Sequence, residues 1–306
     1  MKATLLNPAR VLALMVLSLL AGWSAAADAI RVKDIATIEQ ITGLKGKLNQ
    51  EENVFKVSKP RTDVKVQVDR MPLPPFMGLG SWAAFTPGHG QLMMMGDTVV
   101  FEDEVNPAMS AALDAGLEVT ALHNHFFFDQ PKVYFMHIGG TGSAEKLATG
   151  VSKVQQAIAQ IRKAHTEPAQ QFDGATPSSN SISGAPLEAV FGQKGESSNG
   201  MFKVTIGRPA TMHGEKVGKE MGVNTWAGFA GTDDQAVVDG DFAVLPRELQ
   251  PVLKVMRGAN INIVAIHQHM TDEEPRYLFL HYWGKGKAKD LATAVKKALD
   301  TQASVH

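Results

Sequence analysis

The sequence predicts an α+β protein made of two copies of one β-β-α-β-β-α unit, with mainly antiparallel sheets related by a pseudo-twofold axis. Residues 80–153 align without a gap with residues 224–297, and the period of 144 residues far exceeds the 20–50 residues of solenoid repeats. Each copy also alternates strand-like runs with helical patterns, which is typical of α+β architecture. The sequence leaves open whether the two sheets join into one domain or pack as two.

The elements of the first copy follow from the period of their apolar residues. Alternating or continuous apolar runs predict strands at 54–57, 81–85 and 92–101, with Gly96-Asp97 expected as a turn or bulge. A short helix is expected at 107–115. Apolar residues at helical spacing predict a long helix at 143–164.

The second copy predicts the same elements, and a polar segment separates the two. Its expected strands and helices are 201–206, 225–229, 235–245, 247–256 and 287–299. Residues 166–186 are rich in Pro, Ser, Gly and Asn, which indicates a linker. We therefore expect a signal peptide at 1–27, a first unit at 28–165, this linker, and a second unit at 187–306.

Six of the ten histidines form one pattern, H-x-H-x11-H, that occurs once in each copy. Imidazole is the commonest protein ligand for zinc and related metals, and three histidines can leave a fourth coordination position open. The sequence therefore predicts two metal sites, with zinc the most expected ion. Their ligands would be His123, His125 and His137 in the first copy and His267, His269 and His281 in the second.

The geometry expected for each triad is a β-hairpin. If the first turn centres on Pro131, His125 lies opposite His137, and His123 shares their face because side chains alternate along a strand. A turn centred on Pro275 would likewise place His269 opposite His281. The alternative is a metal-free histidine cluster that serves as a binding or acid–base surface.

Three acidic positions are shared by both copies and are candidates for a proton acceptor beside a metal-bound water. None stands out. Asp97 and Asp241 are expected in turns, Asp129 and Glu273 at solvent-facing hairpin tips. Glu104 and Glu248 are expected near helix N-termini, just before the prolines that open those helices. A Gly-x-Gly at 140–142 is expected to make a turn rather than to bind an anion.

Composition indicates an exported protein. A basic start, a short apolar run and Ala25-Ala26-Ala27 are typical of a signal peptide that is cleaved before Asp28, so we expect a periplasmic or secreted protein without stable membrane insertion. The formal net charge is −1, and loss of Lys2 and Arg10 makes it more negative, which argues against nucleic-acid binding. The chain has no cysteine, which excludes disulfides and thiolate ligands.

These motifs together resemble the LppY/LpqO family of bacterial secreted or lipoprotein-type proteins. The resemblance rests on the duplicated His-x-His, the proline-centred turn, the downstream histidine, the Gly-x-Gly and the Leu-Ala-rich helix. It implies a duplicated domain of unknown function and supplies no reaction. The chain lacks the cysteine that lipid attachment requires, so a lipid anchor is not implied.

Two classes of function fit the sequence. One is a metal-dependent hydrolase, in which zinc bound by a triad presents hydroxide. The other is a non-catalytic periplasmic protein that binds a metal or a small ligand. We expect the first triad to be the working site, because Phe126, Phe127 and Phe128 would make it drier than the second. The reaction and the oligomeric state are left open.

Export gives a direct prediction. N-terminal sequencing of the protein purified from its cells should begin at Asp28, because the small residues of Ala25-Ala26-Ala27 suit signal peptidase. Retention of Met1 in the mature protein would contradict it.

Overall fold

The computed structural model describes residues 29–304, so the expected signal peptide at 1–27 lies outside the described residues. The first repeat begins with a helix, continues with six strands, and then follows the order helix, strands, helix. Its elements are α1 (Val32–Thr42), β1 (Gly46–Asn49), β2 (Val54–Pro60), β3 (Gln67–Val68), β4 (Met71–Pro72), β5 (Gly80–Gly88), β6 (Gln91–Phe101), α2 (Glu102–Asp114), β7 (Glu118–Asn124), β8 (Asp129–Gln130), β9 (Val133–Gly142) and α3 (Ala144–Ala164).

The second repeat has the same element order, which confirms the predicted duplication and the α+β class. Both repeats carry an additional initial helix and short extra strands that the sequence did not reveal. The elements are α4 (Gly184–Phe191), β10 (Glu196–Ser198), β11 (Met201–Gly207), β12 (Ala210–Met212), β13 (Glu215–Val217), β14 (Asn224–Gly231), β15 (Ala236–Val244), α5 (Pro246–Gly258), β16 (Asn262–His267), β17 (Glu273–Glu274), β18 (Leu278–Gly286) and α6 (Ala288–Ala303).

The two repeats share one sheet of 12 strands. Its order is β1-β2-β5-β6-β9-β7-β16-β18-β15-β14-β11-β10, so each half is the reverse of the other, as a pseudo-twofold axis requires. The halves meet where β7 pairs antiparallel with β16, with Leu122 opposite Ile266. We call this pairing the seam. It answers the question that the sequence left open, because the two sheets form one.

Reciprocal side-chain amides extend the seam. Each central strand has an irregularity, next to Val119 in β7 and next to Ile263 in β16. Asn106 of the first repeat donates to Ile263 O at 3.2 Å and accepts from Ile263 N at 2.8 Å. Gln250, at the equivalent position of the second repeat, makes both bonds to Val119 at 2.9 Å. Each repeat thus satisfies backbone groups of the other that would otherwise lack partners.

The helices cover only one face of the sheet. All six helices of the described residues contribute to one hydrophobic core with inward-facing strand residues such as Phe85, Met136 and Leu280. The opposite face, which we call the helix-free face, carries the alternate residues of the same strands. Two three-stranded sheets, β4-β3-β8 and β13-β12-β17, lie at its edges over small apolar clusters. Within residues 29–304, no helix is long and apolar enough to span a membrane.

Two local predictions were wrong. Gly96 and Gly240 lie within continuous strands rather than in turns. Glycine is needed there for space, since a Cβ at Gly240 would lie 2.2 Å from Tyr282 Oη. Pro107 and Pro251 lie inside α2 and α5 and do not open them. These helices begin earlier, at Glu102 and Pro246. Each is capped at the end of the preceding strand, where Glu104 accepts a hydrogen bond from Phe101 N and Glu248 accepts one from Leu245 N.

The reciprocal amides give a test of the seam. Asn106→Leu and Gln250→Leu should each lower the free energy of unfolding by about 1–3 kcal/mol, because each leaves a buried backbone N–H and C=O without a partner. Denaturant titration measures the loss. Gln160→Leu, at an exposed position of α3, is the matched control and should change stability by less than about 0.5 kcal/mol. Equal stability of all three variants would show that the amides contribute nothing.

Candidate functional site

The first three predicted histidines lie together on the helix-free face. His123 is in β7, His137 in β9, and His125 just beyond the end of β7. The ring centroid of His123 is 5.2 Å from those of both His125 and His137. The Nε2 atoms of His123 and His137 are 3.1 Å apart. Two imidazole nitrogens this close either share a proton or face one ligand.

The second triad repeats the arrangement. The ring of His267 lies 5.1 Å from that of His269 and 4.6 Å from that of His281. His269 Nε2 is 3.1 Å from Asp241 Oδ2. Ligand atoms of Asp241, His267 and His269 all lie within 4.8 Å of one another, as a shared metal ion would require. In this repeat an aspartate therefore joins the compact group, with His281 beside it.

The predicted register was wrong, although the histidines converge. His123 pairs with Phe135 and His137 with Ala121, so His125 is not opposite His137. In the second repeat His267 pairs with Phe279 and His281 with Ala265, so His269 is not opposite His281. The reason is the connection between the strands, which is not a simple proline-centred turn. Its residues form β8 or β17, each of which pairs with a small sheet instead.

Aromatic stacking positions the histidines that lie beyond the strand ends. His125 stacks on Phe135 with ring centroids 3.4 Å apart, and His269 stacks on Phe279 at 3.5 Å. Phe135 and Phe279 are buried parts of the small clusters under the edge sheets. A rigid ring thus holds each otherwise exposed histidine near its partners.

Asp97 and Asp241, which were candidates for a proton acceptor but were expected in turns, lie beside the histidines on continuous strands. Asp97 pairs directly with His137, and Asp241 with His281, across adjacent strands. The Oδ1 atom of each aspartate is buried without a hydrogen-bond partner. The signal in the sequence was their period: each occupies a strand position that faces the same side as the histidines. Because Gly96-Asp97 and Gly240-Asp241 were assigned to turns, the shared face of the aspartates and histidines was not recognised.

Burial and the nearby histidines change the pKa of these aspartates in opposite directions. Burial raises the pKa of Asp97, while the adjacent His137, His125 and His123 lower it. Burial also raises the pKa of Asp241, against the effect of His269 and His281. A carboxylate in this setting lacks the solvation that water would provide, so a cation placed between it and the imidazoles would stabilise its charged form.

Burial lowers the pKa of one histidine in each cluster, His125 in the first and His267 in the second. Phe127 and Phe128, which were expected to shield the first triad, are 78% and 77% exposed. In the second repeat burial, followed by the proximity of His281 and His269, lowers the pKa of His267 to about 4. The expected reason for favouring the first triad therefore does not hold for these two phenylalanines.

The shared glutamates have structural roles. Glu104 is fully buried, accepts from Phe101 N at 2.9 Å at the start of α2, and pairs with Arg61 at 2.8 Å. Glu248 makes the equivalent bond at the start of α5 and pairs with Arg208 at 2.8 Å. The expectation of a charge near each helix N-terminus holds, and neither residue lies with the histidines.

The hairpin-tip acids are buried, which contradicts their predicted exposure. Asp129 is 2% exposed and accepts from Val133 N at 2.7 Å. Glu273 is 3% exposed and accepts from Tyr277 N at 3.0 Å. Both carboxylates close the connection between strands and so do not serve as proton acceptors at the clusters.

The Gly-x-Gly segment lies at the end of β9. The helix that follows is capped by Ser143, whose hydroxyl accepts from Lys146 N at 3.1 Å. A side chain thus already satisfies part of that helix N-terminus. The glycines themselves do not form the expected turn, because Gly140 and Gly142 lie within β9, paired with Met94 and Leu92.

Fold and site together define an internally duplicated α+β protein with one histidine–aspartate cluster in each repeat. The chain belongs to the family described as Domain of Unknown Function (DUF1259), whose model matches it twice, over residues 36–157 and 185–301. No curated protein matches the chain.

One solved structure shows a weak similarity. It is a double ringed trimeric shell protein from the RMM microcompartment, 11% identical, with a TM-score of 0.21 over 72% of this chain and 86% of that chain. A score this low carries no argument about fold or function.

The environment of His267 gives a prediction for the metal-free protein. Its imidazole should titrate near pH 4 in an NMR experiment, with His267→Ala identifying the signal. Since this folded-state pKa lies below the ordinary value of about 6.5, protonation favours the unfolded state, and stability should fall as the pH drops from about 6.5 towards 4. His267→Ala should weaken that pH dependence. A midpoint for His267 at or above 6 would contradict the burial argument.

Proposed function

We propose that each repeat binds one transition-metal ion between its three histidines and its buried aspartate. The observation that carries the proposal is the shared donor set, found twice at equivalent positions. Each set places three histidines on the same sheet face as one aspartate whose Oδ1 has no hydrogen-bond partner. Among the described residues, the group whose ligand atoms all lie within 4.8 Å of one another is Asp241, His267 and His269 of the second repeat. Buried polar groups are otherwise almost always paired, so an unpaired oxygen in both repeats indicates a missing partner.

The distances suit a metal ion. Two nitrogens that each lie 2.0–2.1 Å from a tetrahedral zinc ion are about 3.3–3.4 Å apart. His123 and His137 approach that separation at 3.1 Å, as do His269 and Asp241 at the same distance. The ligand atoms of Asp241, His267 and His269 all lie within 4.8 Å of one another.

The donor set narrows the choice of ion. Three nitrogens and one oxygen suit zinc, and also iron or manganese, whereas a chain without cysteine offers no thiolate to select softer metals. Zinc remains the ion we expect first. A histidine nitrogen must be deprotonated before it can bind a metal ion. Because the pKa of His267 is about 4, its imidazole is neutral at physiological pH and need not lose a proton when metal binds.

A metal-dependent hydrolase is the second candidate, and one residue favours it. Asp239 lies two residues before Asp241 on the same exposed strand face, and burial raises its pKa. A carboxylate with a raised pKa beside a metal site could accept a proton from a bound water. The first repeat has Met95 at this position, so we assign this possibility to the second repeat alone.

Export and finer family membership belong to the same proposal. A periplasmic or secreted location is supported by the signal-like start of the chain. The resemblance to the LppY/LpqO family supports the duplicated domain and suggests no reaction. A small molecule or a metal ion is the partner that the site suits.

Metal analysis tests the proposal. Protein purified without chelator should contain, or take up, two transition-metal ions per chain as measured by elemental mass spectrometry. His123→Ala/His137→Ala and His267→Ala/His269→Ala should each remove one ion, because loss of two donors leaves a site too weak to retain metal. Asp241→Asn should weaken the second site by at least about 10-fold.

The control is His165→Ala, since His165 is an exposed histidine at the end of α3, away from both clusters. It should keep both ions. The proposal fails if wild-type protein neither contains nor binds a transition metal, or if the double variants retain the wild-type stoichiometry. If the metal-loaded wild-type protein hydrolyses a substrate and the Asp239→Asn variant does so equally well, Asp239 is not the proton acceptor, and the argument for metal binding is unaffected.

A further inference from the structure

Three loops of the first repeat expose large apolar side chains close together. Phe76 is 100% exposed, Phe127 78% and Phe128 77%. Phe76 lies on a single 3-10 turn after β4, and the other two lie in the connection between β7 and β8. A contiguous patch of exposed apolar residues marks an interaction site, whereas scattered single ones do not. We call this patch the apolar tip, and its residues are Met71, Phe76, Met77, Phe127 and Phe128.

Contacts between the loops hold the apolar tip together. Asp69 N donates to Phe128 O at 3.3 Å, which joins the turn between β3 and β4 to the connection after β7. Gly78, at the end of the 3-10 turn, lies beside Phe126, since a Cβ on this glycine would be 3.9 Å from Phe126 Cζ. Each residue of the tip lies within two residues of one of these contacts. The exposed side chains therefore belong to one patch.

The second repeat has the same loops but polar residues on them. With the offset of 144 residues, Met77 is matched by Met221, and the other four positions of the tip carry polar residues. Those four residues are all exposed, and they are Glu215, Glu220, Thr271 and Asp272. Because both repeats have the same fold, the fold itself does not require apolar side chains at these positions.

The backbone at Phe128 also shows that stability does not account for the tip. Its φ is 59°, in the left-handed region that bulky side chains rarely adopt. A residue held there costs free energy, and a side chain that is 77% exposed recovers little of it by burial.

The exposed charges around the tip are mainly basic. Residues 65–78 and 126–132 expose Lys65, Arg70 and Lys132, against one exposed acidic residue, Asp69. The equivalent segments of the second repeat, 209–222 and 270–276, expose three basic and four acidic residues. Basic residues beside an inserted apolar group are attracted to anionic lipid headgroups. The first repeat alone thus combines protruding apolar groups with the charge that complements such a surface.

We propose that the apolar tip docks on an anionic lipid bilayer by inserting its phenylalanines into the headgroup region. Protruding side chains suit lipid because a bilayer adapts to their shape, whereas a protein partner would need a matching pocket for each. The ring of Phe126 lies 5.9 Å from that of His125, so the tip adjoins the first histidine cluster. Docking would bring that cluster next to the headgroups, with or without a metal ion.

Sedimentation with vesicles of phosphatidylethanolamine and phosphatidylglycerol tests the inference. Phe76→Glu/Phe127→Thr/Phe128→Asp introduces the residues of the second repeat. It should lower the vesicle partition coefficient at least about 10-fold, because the large apolar groups that enter the bilayer are lost. Lys65→Gln/Arg70→Gln should lower it about 5-fold for each charge removed, and should have little effect with phosphatidylcholine vesicles.

Met221→Glu is the matched control, since Met221 is a 66% exposed methionine on the equivalent loop of the second repeat. It should bind within about twofold of wild type. Every variant is prepared from the same cells and keeps the same N-terminus, so a difference between variants reports on the substituted side chains. These side chains are exposed, so the thermal unfolding of each variant should match that of the wild type.

The inference is overturned if the wild-type protein does not bind the phosphatidylglycerol vesicles, or if the triple variant binds them as the wild type does. A loss in Met221→Glu equal to that in the triple variant would also contradict it. If the wild type self-associates in analytical ultracentrifugation, the triple variant does not, and neither binds vesicles, the tip is an interface between copies of this chain instead. These measurements need no metal, so their failure leaves the proposed metal binding unaffected.

Discussion

The antiparallel pairing of β7 with β16 is the constraint on which the rest of the structure depends. It joins two sheets into one, so the histidine clusters at the ends of these two strands open on the same face. The direct strand contact is short, and the amides of Asn106 and Gln250 continue its hydrogen bonding from the helix side. The position of each cluster relative to the other is therefore set by bonds between the repeats.

Under the proposed metal binding, the groups that destabilise the metal-free fold in each cluster are the same groups that would hold the ion. A carboxylate buried with an unpaired oxygen costs free energy, and packed imidazoles such as His267 resist the protons that could neutralise it. A divalent cation between these groups would relieve both costs. Residues that weaken the metal-free protein are thus the ones that would strengthen binding, and folding and metal affinity become linked.

Much of the fold could be predicted from the sequence because apolar residues and histidines recur at regular spacings. A constant offset predicted the duplication, and alternation placed most strands and the histidines. The register at His125 and His269 could not be predicted, because β8 and β17 pair with distant strands. Asp97 was a candidate proton acceptor, but it was placed in a turn because a Gly-Asp pair also suits a turn. In the structure the glycine instead provides space for a neighbouring strand. The seam depends on contacts between residues far apart in the chain, which no local pattern contains.

The centre of the seam has a consequence for ancestry. Leu122 and Ile266 occupy the same position in the two repeats, and each lies opposite the other. The bonds of Asn106 and Gln250 are likewise exchanged between equivalent positions. An interface in which a surface contacts its own counterpart is the isologous contact of a symmetric homodimer. A precursor of half this length would have paired this strand with that of a second copy, and gene fusion would then have made the two subunits one chain, free to diverge at Met95 and Asp239.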